Sequence, residues 1–287
     1  MQRLEIHWSV HVITQHKLAV FGYPISHSLS PRIHMEFAKQ FGISIAYEKI
    51  QCRKDQLKDA LEKFLEQGGM GANITTPLKE EAMHLAGTLT SRAQAADALN
   101  TFHWQSTEKR WLGDNTDGEG FIKYLAKHRK LDLNGLNILL LGAGGAARAL
   151  VHAFLSTHFG TMTILNRDLV KASTLKRQEN INILSYEVFN SLAPLLPIDI
   201  IINATSSQFS ETLPPLMEKC LKDKLVVDLS YSQGMPTHFL AWAKSHYAAQ
   251  VDDGLGMLVE QAALSFELWF NKQPDTFSVY QHLRSRE

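Results

Sequence analysis

Four apolar residues, Ile138-Leu-Leu-Leu141, run straight into Gly142-Ala-Gly144-Gly145-Ala-Ala147, and an apolar helical pattern follows. No other feature of the 287-residue chain limits its fold so strongly. A short, uncharged run of this kind reads as a strand buried on both faces. Gly142 permits a tight turn, Gly144 lets backbone approach an anion, and Ala147 keeps the following helix against the strand. Free N–H groups at the helix start then face that anion. In this strand–turn–helix setting G-x-G-x-x-A points to a dinucleotide pyrophosphate, the bland alternative being a glycine-rich turn without a ligand.

The next strand, Thr161–Leu165, selects between dinucleotides. Its end carries Asn166-Arg167 where an acid would take the ribose 2′-hydroxyl of NAD. A guanidinium there can instead pair with a 2′-phosphate and stack on adenine, and Lys171 adds charge one helical turn on. These residues favour NADP, whereas Asp168, an acid directly beside the arginine, argues for NAD. A solvated loop cation is the plain alternative for Arg167.

The length predicts two domains or one large α/β unit. Strands at Lys17–Gly22, Ala46–Ile50 and Gly71–Thr75 alternate with helices at Ser30–Phe41 and Gln56–Gln67. A third helix is expected from Thr76-Pro77 through Lys79 to about Leu85. Ser30 reads as the N-cap of the first helix and Pro31 as its first residue. Leu99–Trp104 and Arg110–Leu112 read as a strand pair, followed by a turn-rich loop, Gly113–Gly118. A second α/β series has helices at Gly145–Thr157 and Leu169–Arg177 and strands at Asp199–Asn203 and Lys224–Asp228. A last helix spans Leu255–Phe270. The fold class is therefore α/β, with mainly parallel sheets covered by helices.

Lys plus Arg and Asp plus Glu both number 29, which leaves no basic excess for nucleic acid and no polybasic membrane patch. No apolar run approaches the roughly 20 residues of a membrane helix. The two cysteines, Cys52 and Cys220, offer neither a disulfide framework nor a zinc site and fit a reducing cytoplasm. Residues 1–16 read as an N-terminal extension. His7 and His11 share an i, i+4 spacing there, for which an exposed tail is a better reading than a metal site.

Hydride transfer to a ketone needs a proton donor at the developing oxyanion. None of the seven tyrosines has a lysine four residues on, so the Tyr-x-x-x-Lys solution is absent. Lys79 is the candidate acid. In the first turn of the expected helix its charge would be disfavoured by the dipole, and a nearby carboxylate would push the other way. Asp117 and Asp114 both qualify. On spacing alone, Lys79 also reads as an exposed helix lysine.

The residues here match a known family. Val20-Phe-Gly-Tyr-Pro-Ile-Ser-His-Ser-Leu-Ser-Pro31, Gly71-Ala-Asn-Ile-Thr-Thr-Pro-Leu-Lys79, Ala98-Leu-Asn-Thr101 and Gly113-Asp-Asn-Thr-Asp-Gly118 stand in order. Gly142-Ala-Gly-Gly-Ala-Ala-Arg148, Ile202-Asn-Ala-Thr-Ser-Ser207 and Asp253-Gly-Leu-Gly-Met-Leu-Val259 follow. In these motifs and their spacing, from about Lys17 to the C-terminus, the chain resembles the shikimate dehydrogenase family.

The resemblance implies NADPH-dependent reduction of 3-dehydroshikimate to shikimate, in the pathway to chorismate and aromatic amino acids. It implies Lys79 and Asp117 as the catalytic pair. Ser28 and Ser30 would hold the substrate carboxylate, with Thr75, Asn100, Tyr231 and Gln261 completing the substrate site. Gly142, Ala143, Gly144, Gly145, Ala146, Asn166, Arg167, Lys171, Ala204, Thr205, Leu229 and Gly254 would hold NADP, and no metal is implied. The implied domains are 17–116 plus 254–287 for substrate and a Rossmann domain at 117–253, the last helix returning to the first. Closure of the cleft between them would exclude water. A cytoplasmic monomer or homodimer with a small-molecule substrate, and no nucleic-acid or membrane partner, fits this picture.

Two departures stand beside site residues: Asp97 and Gln208 replace glycines common in the family. Asp168 keeps a quinate/shikimate dehydrogenase with dual NAD/NADP use as the alternative. A non-catalytic NADP-binding regulator is the alternative from another class, and the presence of both Lys79 and Asp117 argues against it.

Overall fold

Short apolar strands, several of them uninterrupted runs, form two six-stranded sheets covered by helices. The structure, a computed structural model, describes residues 15–205, 213–231 and 234–285. Of the expected extension, only Gln15 and His16 are described, and His16 already opens a strand. His7, His11, Ser206, Ser207 and Gln208 lie outside the described residues.

The first sheet contains β1 (His16–Gly22), β2 (Ile45–Gln51), β3 (Gly69–Ile74), β4 (Thr88–Leu89), β5 (Thr101–Gln105) and β6 (Arg110–Asp114). Its order is β2-β1-β3-β5-β6-β4. β1 lies parallel to β2 and β3, and β4 parallel to β6, while β5 runs antiparallel to its neighbours. Helix α2 (Leu57–Glu66) packs Leu57, Leu61 and Phe64 onto Ala19, Phe21, Ala72 and Ile74. Helix α1 (Ser30–Gln40) turns Ile33 and Phe37 toward another cluster and ends before Gly42, whose φ is +63°.

The second sheet contains β7 (Ile138–Leu141), β8 (Met162–Leu165), β9 (Ile181–Leu184), β10 (Ile200–Asn203), β11 (Leu225–Asp228) and β12 (Gln250–Asp252). All neighbouring pairs are parallel, in the order β12-β11-β10-β7-β8-β9. This is the doubly wound dinucleotide-binding order, with its switch point between β7 and β10. Both faces are covered, so β7 is buried along its whole length, as its uninterrupted Ile-Leu-Leu-Leu requires. Helix α5 (Gly145–Phe154) follows β7, the short α6 (Leu169–Ser173) follows β8, α7 (Tyr186–Leu192) follows β9, and α8 (His238–Ser245) lies between β11 and β12.

Two helices join the sheets. Helix α4 (Asp117–Lys127) leads from the first to the second, and α9 (Leu255–Phe270) leads back. Leu255, Val259 and Phe266 of α9 pack with Ile33 and Phe37. Trp269 donates its indole N–H to the Phe102 carbonyl at 2.9 Å.

Three local readings need correction. No α-helix starts at Thr76-Pro77. The Leu78 N–H closes a tight turn onto the Thr75 carbonyl at 2.9 Å, and buried Leu78 and Ala82 pin the segment to the core. Only a 3-10 turn forms, over Glu81–Leu85, so no helix dipole acts on Lys79. Ser30 is the first residue of α1 rather than its cap: Leu29 occupies the cap position, and the Ser30 hydroxyl meets Ser28 at 3.2 Å. The loop expected at Gly113–Gly118 ends early, because Asp117 opens α4. Leu255–Phe270 matches its expected bounds, but another helix, α10 (Thr276–Arg284), follows it, capped by Asp275.

Asp97 explains itself in the structure. It ends α3 (Ser91–Ala96) in the left-handed region, at φ 46° and ψ 40°, where glycine is at ease and an aspartate is strained. Asp97→Gly is therefore expected to stabilise the fold by about 0.5 kcal/mol, relief of strain outweighing glycine's chain entropy. Thermal melts of the two proteins check this, and an unchanged or lower midpoint for the variant refutes it.

Candidate active site

One cleft of about 720 Å³ runs along the C-terminal ends of strands from both sheets. Ser28, Ser30, Thr75, Lys79, Asn100, Asp117, Tyr231 and Gln261 line it. So do Gly142, Ala143, Gly144, Gly145, Ala146, Asn166, Arg167, Lys171, Ala204, Thr205, Leu229 and Gly254. Residues scattered through the chain meet here because strand ends in parallel sheets converge on one edge.

Lys79 and Asp117 form the polar centre. The Lys79 Nζ stands 2.5 Å from Asp117 Oδ2, with side-chain exposures of 23% and 5%. The turn after β3 supplies the lysine and the start of α4 supplies the aspartate. Asn100 donates to the other carboxylate oxygen at 2.8 Å, and the Asp117 N–H donates to Asn115 Oδ1 at 3.1 Å. The Asn100 amide also reaches Thr116 at 2.9 Å and Gln261 Oε1 at 3.0 Å.

Asp114 has a different task. Its carboxylate accepts from Arg92 Nε at 2.7 Å, from Thr90 at 2.6 Å and from the Asn115 N–H at 2.7 Å. Burial works to raise its pKa, but the Arg92 guanidinium overrides this and holds the carboxyl below its usual value. Of the two carboxylates open on sequence, Asp117 pairs with the lysine and Asp114 anchors the loop ahead of it.

A second polar layer lies behind, and sequence reasoning missed it. Asn73 on β3 donates to the Asn100 carbonyl, to Thr101 and to Ser265 at 3.0–3.2 Å. Its oxygen accepts from Tyr47 at 2.7 Å and lies 3.1 Å from His34 Nε2. The signal was a lone Asn within the small and apolar run Gly-Ala-Asn-Ile; nothing in His34, Tyr47 or Ser265 links them in sequence. His27, Lys54, Glu80 and Tyr186 also line the cleft without having been singled out.

On the opposite wall the glycine turn has the geometry an anion needs. Gly142 has φ +105°, and a Cβ there would stand 3.0 Å from the Ala204 carbonyl oxygen across the switch point. A Cβ on Gly144 would meet nothing within 4 Å, so the side facing the cleft is open. Gly254 lies so close to Leu229 that an added Cβ would stand 2.0 Å from its carbonyl oxygen. Asn166, Arg167 and Lys171 supply donors at the far end. The Asp168 carboxylate, the source of doubt about NADP, caps α6 by accepting the Lys171 N–H at 2.9 Å. The residues present thus fit a dinucleotide whose outer end carries negative charge.

Among the described residues no group of three His, Cys, Asp or Glu side chains could hold a metal. Nor is any helix there long and apolar enough to cross a membrane.

Fold and cleft together define a dinucleotide-dependent α/β oxidoreductase, with a lysine–aspartate pair facing the glycine turn. Residues 20–102 match the shikimate dehydrogenase substrate-binding domain, 124–253 match shikimate/quinate 5-dehydrogenase, and 254–284 match the shikimate 5′-dehydrogenase C-terminal domain. A shikimate dehydrogenase (NADP(+)) from Xanthomonas euvesicatoria pv. vesicatoria is 42% identical over 278 residues, covering 94% of this chain and 96% of that one. One from Xylella fastidiosa is 43% identical over 274 residues, with the same coverage. Among solved structures, an Ael1 enzyme from Pseudomonas putida superposes with a TM-score of 0.85 at 35% identity, covering 93% of this chain and 98% of that one. Shikimate 5-dehydrogenase from Thermus thermophilus, in complex with NADP(H) and shikimate, gives 0.80 at 30% identity, covering 95% and 100%. The chain belongs to the shikimate dehydrogenase family.

Burial pushes the His34 pKa down to about 3, the Asn73 hydrogen bond opposing the shift. An unfolded His binds its proton near pH 6.5, so the unfolded chain holds more protons below that pH. The stability His34 contributes is present above about pH 6.5 and is lost as pH falls toward 3, by up to about 1.4 kcal/mol per pH unit. Denaturant titrations at pH 7 and pH 5 are expected to show a loss up to about 2 kcal/mol larger in the parent than in His34→Gln. Equal losses would sink this account.

Proposed function

We propose that this chain catalyses the reversible NADPH-dependent reduction of 3-dehydroshikimate to shikimate, a step toward chorismate and the aromatic amino acids. The observation that carries the mechanism is the 2.5 Å Lys79–Asp117 pair facing the glycine turn across one cleft. Residues 17–116 plus 254–287 form the substrate part and 117–253 the cofactor part. The first supplies Lys79, Asn100 and Gln261, the second supplies Asp117 at its very start, the glycine turn and the Arg167–Lys171 end. The buried free thiols Cys52 and Cys220 fit the reducing cytoplasm, where a biosynthetic reductase works.

The Ser28 and Ser30 hydroxyls donate to the substrate carboxylate without adding a cation. Thr75, Asn100 and Gln261 meet the ring hydroxyls, and Tyr231 closes the pocket beside them. The glycine turn and the first N–H groups of α5 hold the NADP pyrophosphate, and Asn166, Arg167 and Lys171 hold the 2′-phosphate. When bound, the reduced nicotinamide supplies the hydride for the carbonyl carbon. Lys79 delivers a proton to the carbonyl oxygen as negative charge develops there. Asp117 accepts a hydrogen bond from the same ammonium, so the donor stays aimed while Asn100 keeps the carboxylate in place.

Initial rates at 340 nm test this reading. Lys79→Ala is expected to lower kcat on the order of 10²–10⁴-fold with a smaller change in the shikimate KM. Turnover within a few-fold of the parent would remove Lys79 as the acid. Arg167→Ala is expected to raise the NADP KM by about 10-fold or more while leaving the NAD KM within a few-fold, as loss of a charge-assisted phosphate contact predicts. A parallel rise in both would place Arg167 outside the 2′-phosphate site.

A further inference from the structure

We infer that Arg148 is a positioning residue that locks the phosphate-facing helix α5 to the two segments carrying Lys79 and Asn100. The inference rests on the function proposed above and assigns a role to a side chain that contacts neither substrate nor cofactor in that scheme. Arg148 lies one turn into α5, and its side chain is 13% exposed. Its Nε donates to the Ala96 carbonyl at 2.6 Å, and its Nη2 donates to the Asp97 carbonyl at 3.2 Å. The same Nη2 meets Glu80 Oε1 at 2.8 Å.

These partners sit at informative places. Ala96 and Asp97 end α3, where carbonyls lack helical partners and need donors from elsewhere. Asp97 is three residues before Asn100, and Glu80 directly follows Lys79. The two segments are themselves joined, since the Leu99 N–H donates to the Lys79 carbonyl at 2.9 Å. Ala96, Ala98 and Ala149, which include one of its partners and its own chain neighbour, pack together as a small buried cluster. A rigid planar fork on a close-packed base transmits position in a way a flexible ammonium does not. The dinucleotide turn opens α5, so Arg148 fixes the hydride-side wall relative to the proton donor. Misplacement of about 1 Å between such groups costs on the order of 100-fold in rate.

An ion pair adds to the carbonyl contacts. Glu80 faces Arg148, Lys171 and Lys54, and the hydrogen bond from Arg148 leads in holding its carboxyl below the usual range. Lys79 faces Asp117. Removing the guanidinium leaves the Glu80 carboxylate without its hydrogen-bonded cation beside Lys79.

Arg148→Met, Arg148→Lys and the Arg148→Met/Glu80→Gln double variant test this against the parent enzyme. In ligand-free protein, Arg148→Met is expected to speed hydrogen exchange at the Leu99 and Asn100 amides by about 10-fold or more, with Leu139 and Val226 unchanged. In turnover it is expected to lower kcat by about 10–100-fold, with the NADPH Kd (by fluorescence titration) within about 3-fold. The double variant does not restore kcat, and Arg148→Lys restores only part of it. Wild-type exchange with wild-type kcat in Arg148→Met overturns the inference. So does a rate loss that matches a rise in Kd, or one that tracks the unfolded fraction by circular dichroism. If the parent fails to turn over shikimate, the proposed function falls, while the exchange experiment still decides whether Arg148 ties these segments.

Discussion

Taking the Asp117 carboxylate out of water is the constraint around which the rest of the cleft is organised. A buried charge without partners costs several kcal/mol, so its neighbours are obliged to supply hydrogen bonds. Lys79 satisfies one oxygen and Asn100 the other. Asn100 must then be held, and Thr116, Thr101 and Gln261 do so from three different elements. Thr101 and Ser265 in turn meet Asn73 at the back of the site. One ionised group thus dictates polar side chains through the centre of an otherwise apolar core. Such networks are stabilising only when complete, which makes each member sensitive to loss.

The same reasoning explains why α9 carries Gln261 and Ser265 on a face that is otherwise apolar. Those residues are four apart and share a stripe of the helix. They meet the network where α9 crosses β3 and β5, and one turn on Trp269 bonds to the Phe102 carbonyl. Helix α9 therefore does two jobs: its aliphatic residues close the core against α1, and its polar stripe completes the site.

Much of this was legible in the sequence, and the rest was not for identifiable reasons. Ile138–Ala147 announced strand, turn and helix because each residue type answers a distinct geometric need there. Leu255–Phe270 was legible by its sustained apolar length. The segment after Thr76 misled, because Thr-Pro signals a helix start on local grounds, while burial of Leu78 and Ala82 decides the actual turn. Ser30 misled likewise: its hydroxyl serves Ser28 rather than the helix. The choice between Asp114 and Asp117 rested on resemblance until Arg92 was seen to occupy the former. Arg92, His34 and Tyr47 were invisible because their partners are distant in sequence, and pattern reading sees only near neighbours.

The return of α9 to the first sheet has a consequence for the order in which the molecule is made. A ribosome releases β1 through β6 early, yet the helices that cover α1 and complete the polar centre come from residues 255–284. At roughly 5–20 residues per second, the half-built first sheet waits on the order of ten seconds or more for its cover. The second sheet, contiguous in the chain, has no such wait. The nascent protein therefore acquires its nucleotide-shaped half first, and the polar centre is completed only once residues 255–284 have emerged.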